Sequence, residues 1–317
     1  MDLPSLADVE EARRAIAGAA LRTPLVRLSW EGGPAYVHLK LENLQPIGSF
    51  KIRGATNAVA HLPPERLSRG LVTASAGNMA QGVAWAARRA GVGCTVIAPE
   101  TAPRTKIEAV ERLGGRVVPV PFDVWWRTFQ DRAYPGIDAA FVHAFDDPHV
   151  MAGNGTIGLE VLEDLPDVDA IVVPWGGGGL ACGIAAAVRA VKPSCRVFAA
   201  EVETAAPLGA SVAAGRPVEI DYRASFVDGI GARTVFPVML ERAQALLAGV
   251  VAASLEEVAA AVRLLAERHR VIAEGAGACA VACAMAGRVG GGKVACIVSG
   301  GNIDGDKLCA ILAGRVP

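Results

Sequence analysis

Lys51 is the residue whose surroundings most readily suggest chemistry. It lies in Gly48-Ser49-Phe50-Lys51-Ile52-Arg53-Gly54-Ala55, where Ser49 reads as an N-cap and Lys51 and Arg53 open a helix. Cations at that end oppose the helix dipole, at about 0.3–1 kcal/mol each. A lysine imine or a nearby bound phosphate accounts for that cost; an ordinary surface lysine is the plain alternative. A second segment, Thr73-Ala74-Ser75-Ala76-Gly77-Asn78-Met79-Ala80-Gln81-Gly82, reads as small residues ending a strand before a helix. Backbone N–H groups at such a start suit a carboxylate, and Asn78 can bond a phenolic oxygen. A third, Pro174-Trp175-Gly176-Gly177-Gly178-Gly179-Leu180, has four consecutive glycines, each costing about 1 kcal/mol to order. Amides brought close to a phosphate explain that better than a flexible loop. Gly176, Gly178 and Ala181 also satisfy the loose dinucleotide pattern, with Glu201 ending the next strand. An NAD-dependent dehydrogenase is therefore the competing reading at this point. A fourth, Val298-Ser299-Gly300-Gly301-Asn302-Ile303-Asp304, again ends a strand in small residues.

Such segments converge only if strands and helices carry them to one place. Tyr36 to Glu42 alternates apolar and polar residues, as a half-buried strand does. Runs 94–98, 116–120, 170–173, 196–200 and 294–298 are short and rich in β-branched residues, while 80–90, 103–113, 180–191 and 255–268 carry helical patterns. Ser5 with Asp8, and Ser254 with Glu257, form capping boxes. The alternation predicts an α/β fold with parallel sheets flanked by helices. His61-Leu62-Pro63-Pro64 and Asp146-Asp147-Pro148 read as hinges. They imply a small domain, 63–147, inserted into a large one made of 1–62 and 148–317.

The 317 residues are 52% hydrophobic with 36 glycines and a net charge of -1, enough for a large core with many tight turns. A charge so near zero gives no reason to expect nucleic acid or an anionic membrane as partner. The acidic start lacks the pattern of a signal peptide, and the apolar run 275–287 is too short to span a bilayer, so a buried helix and a cytoplasmic protein are expected. The seven cysteines contain no CxxC pair and read as reduced core thiols, with no metal site.

Together the segments resemble the threonine/serine dehydratase family, pyridoxal 5'-phosphate enzymes of the second fold type (tryptophan synthase β-like), related to serine racemase. The resemblance is carried by Leu39-Lys40-Leu41-Glu42-Asn43-Leu44-Gln45-Pro46-Ile47-Gly48-Ser49-Phe50-Lys51, then His143-Ala144-Phe145-Asp146-Asp147-Pro148, Gly155-Thr156-Ile157-Gly158-Leu159-Glu160 and Ser299-Gly300-Gly301-Asn302, in the family's order from about Arg22 onward. It implies that Lys51 holds the cofactor as a Schiff base and shuttles the α-proton. By the same resemblance Phe50 packs near the cofactor ring and Asn78 bonds its 3′-oxygen. Gly176, Gly177, Gly178, Gly179 and Leu180 cradle its phosphate, and Ser299 faces the pyridine nitrogen. Ser75, Ala76, Gly77, Met79 and Gln81 line the substrate site. The implied reaction is β-elimination of a hydroxy amino acid to a 2-oxo acid and ammonia, by a homodimer. It settles the glycine run on pyridoxal phosphate, since a dehydrogenase has no use for Lys51.

Departures from the family pattern point to the substrate. Met79 stands where histidine is usual, Trp175 where a small aliphatic residue is usual, Asn154 for glutamine and Ala144 for proline. If Met79 and Trp175 border the pocket, an aromatic substrate such as phenylserine is favoured; packing drift is the alternative. Serine racemase and hydroxyaspartate dehydratase are related alternatives. Against racemisation, Ala76 occupies the position of the serine that acts on the opposite cofactor face. Glu201 matches the glutamate of the racemase-type cation site, but Pro207 replaces its aspartate and offers no side-chain oxygen. The chain also ends soon after Asn302, so no C-terminal regulatory domain is expected.

Overall fold

The β-branched runs form two sheets, and the glycine-rich segments lie at their carboxyl ends. The computed structural model describes residues 2–30, 32–33 and 35–317. The strands are β1 (Leu25–Arg27), β2 (Ala35–Lys40), β3 (Leu71–Ala74), β4 (Cys94–Pro99), β5 (Arg116–Val120), β6 (Ala140–Phe141), β7 (Ala170–Pro174), β8 (Arg196–Val202), β9 (Gly249–Ala253) and β10 (Gly292–Ile297). The helices are α1 (Leu6–Ala15), α2 (Lys51–Ala60), α3 (Pro64–Leu67), α4 (Asn78–Ala90), α5 (Arg104–Arg112), α6 (Phe122–Asp131), α7 (Pro148–Asp164), α8 (Gly179–Val191), α9 (Pro207–Ala214), α10 (Pro237–Leu246), α11 (Leu255–Leu264), α12 (Gly275–Met285) and α13 (Gly305–Leu312).

Among the described residues one sheet has the order β1-β2-β10-β7-β8-β9 and the other β5-β4-β3-β6. All pairings are parallel except β1 with β2. The apolar run of β7 is buried at every position, as befits a parallel strand covered on both faces. Helix α12 is buried from Gly275 to Ala284, and among the described residues no helix is long and apolar enough to cross a membrane. Six of the seven cysteines are buried; Cys309 is exposed and does not belong to the core.

Both capping boxes form. The helix expected over 255–268 instead ends as an α-helix at Leu264. It widens into a π turn, Leu265–His269, closed by Arg270 in the left-handed conformation at φ 59°. Ser49 does not cap α2. Its backbone bridges Gly300, and its buried hydroxyl makes no hydrogen bond.

Helix α2 is wedged between α4 and α7 by residues without side chains. A Cβ on Gly82 would come within 3.0 Å of the Lys51 carbonyl oxygen, and one on Gly153 within 2.6 Å of that of Arg53. Beneath α2 lies a buried, charge-neutral cluster. Arg53 donates to Glu42 at 2.8 and 2.9 Å and to Glu160 at 2.7 and 2.9 Å, while Lys40 donates to Glu160 at 2.6 Å and to the Thr23 carbonyl at 2.6 Å. The cost of placing Arg53 at a helix start is thus met by two carboxylates, and no phosphate is needed to explain it. Burial of ions rarely adds net stability, but this cluster ties β2, α2 and α7 into one geometry and so fixes where Lys51 emerges.

Candidate active site

A cavity of about 750 Å³ opens where the loops after β3, β4, β7 and β10 meet, the usual ligand position at the carboxyl ends of parallel strands. Phe50, Lys51, Ser75, Ala76, Gly77, Asn78, Met79, the run Gly176 to Leu180, and Ser299 all line it. Gln81 does not; it is buried one turn further along α4. Trp175 does not either. It is 1% exposed and packs in the core behind the glycines, its ring occupying the space a Gly178 side chain would need. The expectation that Trp175 borders the pocket is therefore corrected: the chain turns at Gly176, and the indole faces the opposite side of the loop.

The Lys51 ammonium donates to the Ala144 carbonyl at 3.1 Å and sits 5.0 Å from the Phe50 ring centre. Burial pushes its pKa down to about 8, the nearby Glu274 carboxylate opposing this. Near pH 7 about a tenth of such an amine is neutral, against roughly one part in 3,000 for an unperturbed lysine.

The glycine run has open amides. Among the described residues the N–H groups of Gly176, Gly177 and Gly178 have no protein acceptor, and the first turn of α8 adds more by helix geometry. Gly178 takes φ +91° at the N-cap of α8, where a side chain would be strained and would also strike Trp175. The Phe145 ring closes over Gly177. Open amides and glycines without side chains suit a phosphate, and with Lys51 lining the same cavity the residues present fit pyridoxal phosphate. At the start of α4, the Gly77 N–H is taken by Ser75 Oγ at 3.2 Å, so part of the expected anion site is satisfied internally. His143 stays neutral: burial pushes its pKa down to about 3, and its Nδ1 accepts from the Asp146 N–H at 2.8 Å.

Glu201 is turned away from the glycine run, its two oxygens accepting the N–H groups of Leu208 and Gly209 at 2.8 Å each. A ribose-binding role beside the glycines is left without its acid. Among the described residues no group of three or more His, Cys, Asp or Glu is placed to hold a metal ion.

The sequence reading missed two features of the site. Phe122, Trp125, Trp126 and Phe129 line the cavity from α6, with Phe145 and Phe236 beside them. Their spacing (i, i+3, i+4, i+7) marks one helical face and was available as a signal. Trp126 stacks on Phe129 at 5.7 Å, and Phe145 meets Phe236 edge-on at 5.3 Å. Glu274 also lines the cavity. Burial, then Asp228, pushes its pKa up to about 7, against Lys106, Asn78 and Lys51.

Comparison with known proteins agrees with this geometry. Residues 16–300 match the family described as pyridoxal-phosphate dependent enzyme. The chain belongs to that family. An L-threonine ammonia-lyase of Thermotoga maritima is 41% identical over 315 residues, covering 97% of this chain and 78% of the relative. The catabolic L-threonine dehydratase TdcB of Staphylococcus aureus N315 is 36% identical over 317 residues, covering 97% and 92%. Among solved structures, the processed threonine deaminase isoform 2 of Solanum lycopersicum superposes with a TM-score of 0.87 at 32% identity, covering 98% of this chain and 87% of that one. Serine racemase of Dictyostelium discoideum gives 0.85 at 30%, covering 96% and 100%. The enzyme has the second fold type of this family, depends on pyridoxal phosphate, and is a carbon–nitrogen lyase.

Proposed function

We propose that the enzyme is an ammonia-lyase of the threonine/serine dehydratase type, releasing a 2-oxo acid and ammonia from a β-hydroxy amino acid. The observation that carries this is the half-buried Lys51 amine with its depressed pKa, in the same cavity as the open amides of the glycine run. Bound pyridoxal phosphate supplies an electron sink for negative charge at the substrate α-carbon. In this reading the amides of Gly176 to Leu180 hold the phosphate, and Phe50 packs beside the ring. Asn78 donates to the ring oxygen. Ser299 offers a neutral hydroxyl to the ring nitrogen, and the start of α4 at Ser75 to Met79 receives the substrate carboxylate. Lys51, as a neutral amine, takes the α-proton; the resulting ammonium can return that proton to the β-hydroxyl, which departs as water. Ala76 offers no acid on the other face, which favours elimination over racemisation.

We also propose that the β-substituent is aromatic, as in phenylserine. Support comes from Met79 and the aromatic face of α6 in the cavity wall, which threonine's single methyl leaves unused; Trp175 no longer contributes. Burying a phenyl group there is worth about 1–3 kcal/mol, or about ten- to a hundredfold in kcat/KM. The test is 2-oxo acid release from threonine, serine and phenylserine by wild type and Trp126→Ala. Phenylserine is turned over at least as well as threonine by wild type, and Trp126→Ala lowers its relative kcat/KM about tenfold. A wild-type preference for threonine, unmoved by the substitution, overturns the aromatic reading and leaves the lyase standing. The division into 1–62 with 148–317 and 63–147 stays part of this proposal. It is supported by the four-stranded sheet lying within 63–147 and by the stacking of His61 on His149, at 4.4 Å, where the two crossings meet.

A further inference from the structure

Asn78 stands at the first position of α4 and lines the cavity with Lys51 and Ser299. Its amide carries one acceptor oxygen and two N–H donors, and which of them meets the cofactor depends on how the amide is turned. Its oxygen accepts from Asn302 Nδ2 at 2.7 Å, and its nitrogen donates to Glu274 Oε1 at 2.7 Å. Asn302 Nδ2 gives its other hydrogen to the Ile47 carbonyl at 2.9 Å. At the Ile47 end the chain of bonds meets a main-chain carbonyl, which can only accept, and this fixes Asn302 and through it Asn78, whose nitrogen then faces the Glu274 carboxyl. Turning Asn302 over would set its oxygen against the Ile47 carbonyl. Turning Asn78 over would set its nitrogen against Asn302 Nδ2, two donors together, and its oxygen against Glu274 Oε1. Only one arrangement satisfies every partner, and it leaves Asn78 one free N–H.

We infer that Glu274 and Asn302 are positioning residues that lock the Asn78 amide nitrogen-inward, so that the cofactor's ring oxygen meets a donor. The inference rests on the assignment of Asn78 to that oxygen. Space for the relay is built into the backbone. A Cβ on Gly48, which has φ +71°, would lie 2.5 Å from Asn302 Oδ1, and a Cβ on Gly300 would collide with Glu274 Oε1. The glycine before Ser49 and the glycine after Ser299 thus make room for the two residues that orient Asn78. Glu274 is further held by its own N–H, which donates to the Gly300 carbonyl at 3.0 Å.

Cofactor binding tests this without recourse to turnover. Apoenzyme is titrated with pyridoxal phosphate and followed by tryptophan fluorescence, and the position of the visible band is recorded after reconstitution. Asn302→Asp replaces the donor facing Asn78 by an acceptor. It weakens cofactor affinity about ten- to a hundredfold and moves the band, as the loss of one hydrogen bond to a charged group does. In the Asn78→Ala background the same substitution has little further effect, because its influence passes through Asn78. Glu274→Gln, which keeps an acceptor oxygen, retains most of the affinity that Glu274→Leu loses. This second pair carries the test if Asn302→Asp does not fold by circular dichroism. Unchanged affinity and band in folded Asn302→Asp, losses that add in the double variant, or equal behaviour of Glu274→Gln and Glu274→Leu each overturn the relay. Failure to act on any hydroxy amino acid would instead defeat the proposed activity and leave these binding results untouched.

Discussion

Removing the Lys51 amine should stabilise the cofactor-free protein at neutral pH, although under the role proposed for Lys51 the same change abolishes turnover. The amine is displaced from 10.5 to about 8 by burial, which corresponds to about 3 kcal/mol of unfavourable charge burial when it is protonated. The unfolded chain binds this proton more tightly than the folded one. The penalty is therefore fully present below about pH 8, shrinks as pH rises toward 10.5, and vanishes above it. Lys51→Met keeps the aliphatic stem and removes the charge. It also removes the hydrogen bond to the Ala144 carbonyl, which offsets about 1 kcal/mol. The expected result is a cofactor-free Lys51→Met protein about 2 kcal/mol more stable than wild type at pH 7. The difference closes and then reverses by pH 10.5. Urea unfolding of both proteins at matched pH values gives the difference, since titrating groups not coupled to Lys51 cancel between them; the coupled Glu274 carboxyl and His143 ring titrate below the window of about pH 8 to 10.5 in which the difference closes. A Met variant less stable at pH 7, or a difference that does not vary with pH, would refute the claim that desolvation depresses this amine. It would remove with it the physical reason for Lys51 being a ready base.

Three further outcomes follow from particular contacts. Glu160→Gln leaves Lys40 and Arg53 sharing the single carboxylate of Glu42; urea unfolding should show a loss of about 3–5 kcal/mol, and a loss under 1 kcal/mol would mean that water reaches the cluster. Gly178→Ala adds a side chain at φ +91° against the Trp175 ring; it should weaken pyridoxal phosphate binding at least tenfold in equilibrium dialysis, and unimpaired binding would argue against the glycine run as the phosphate cradle. Met79→His places a polar ring in the cavity wall and should shift the kcat/KM ratio from phenylserine toward threonine, an unchanged ratio assigning Met79 to packing alone.

Much of the site was legible because it is written in local backbone chemistry. Four glycines between a strand and a helix imply open amides wherever the segment lies, and the two capping boxes formed as their spacing required. The ordered motifs around Lys51, Asn78 and Ser299 brought the family with them. What sequence left undecided depends on side-chain direction and on burial between distant segments. Trp175 adjoins the glycines in sequence yet faces the core, because nothing in a dipeptide states which side of the turn its ring takes. Ser49 has the identity of a cap and does not act as one, since its backbone is held by Gly300 across the fold. The α6 aromatics announce a common face by spacing, but only packing turned that face to the cavity. Glu274, 196 residues from Asn78, carries no local mark at all. Residue type and spacing marked most of the strands and the turns, and the ordered motifs, through their resemblance to a family, pointed to the cofactor. The tertiary structure decided which polar groups lost their water, and hence which pKa values moved and which way an amide could turn, because desolvation is a property of the packed fold and not of any segment within it.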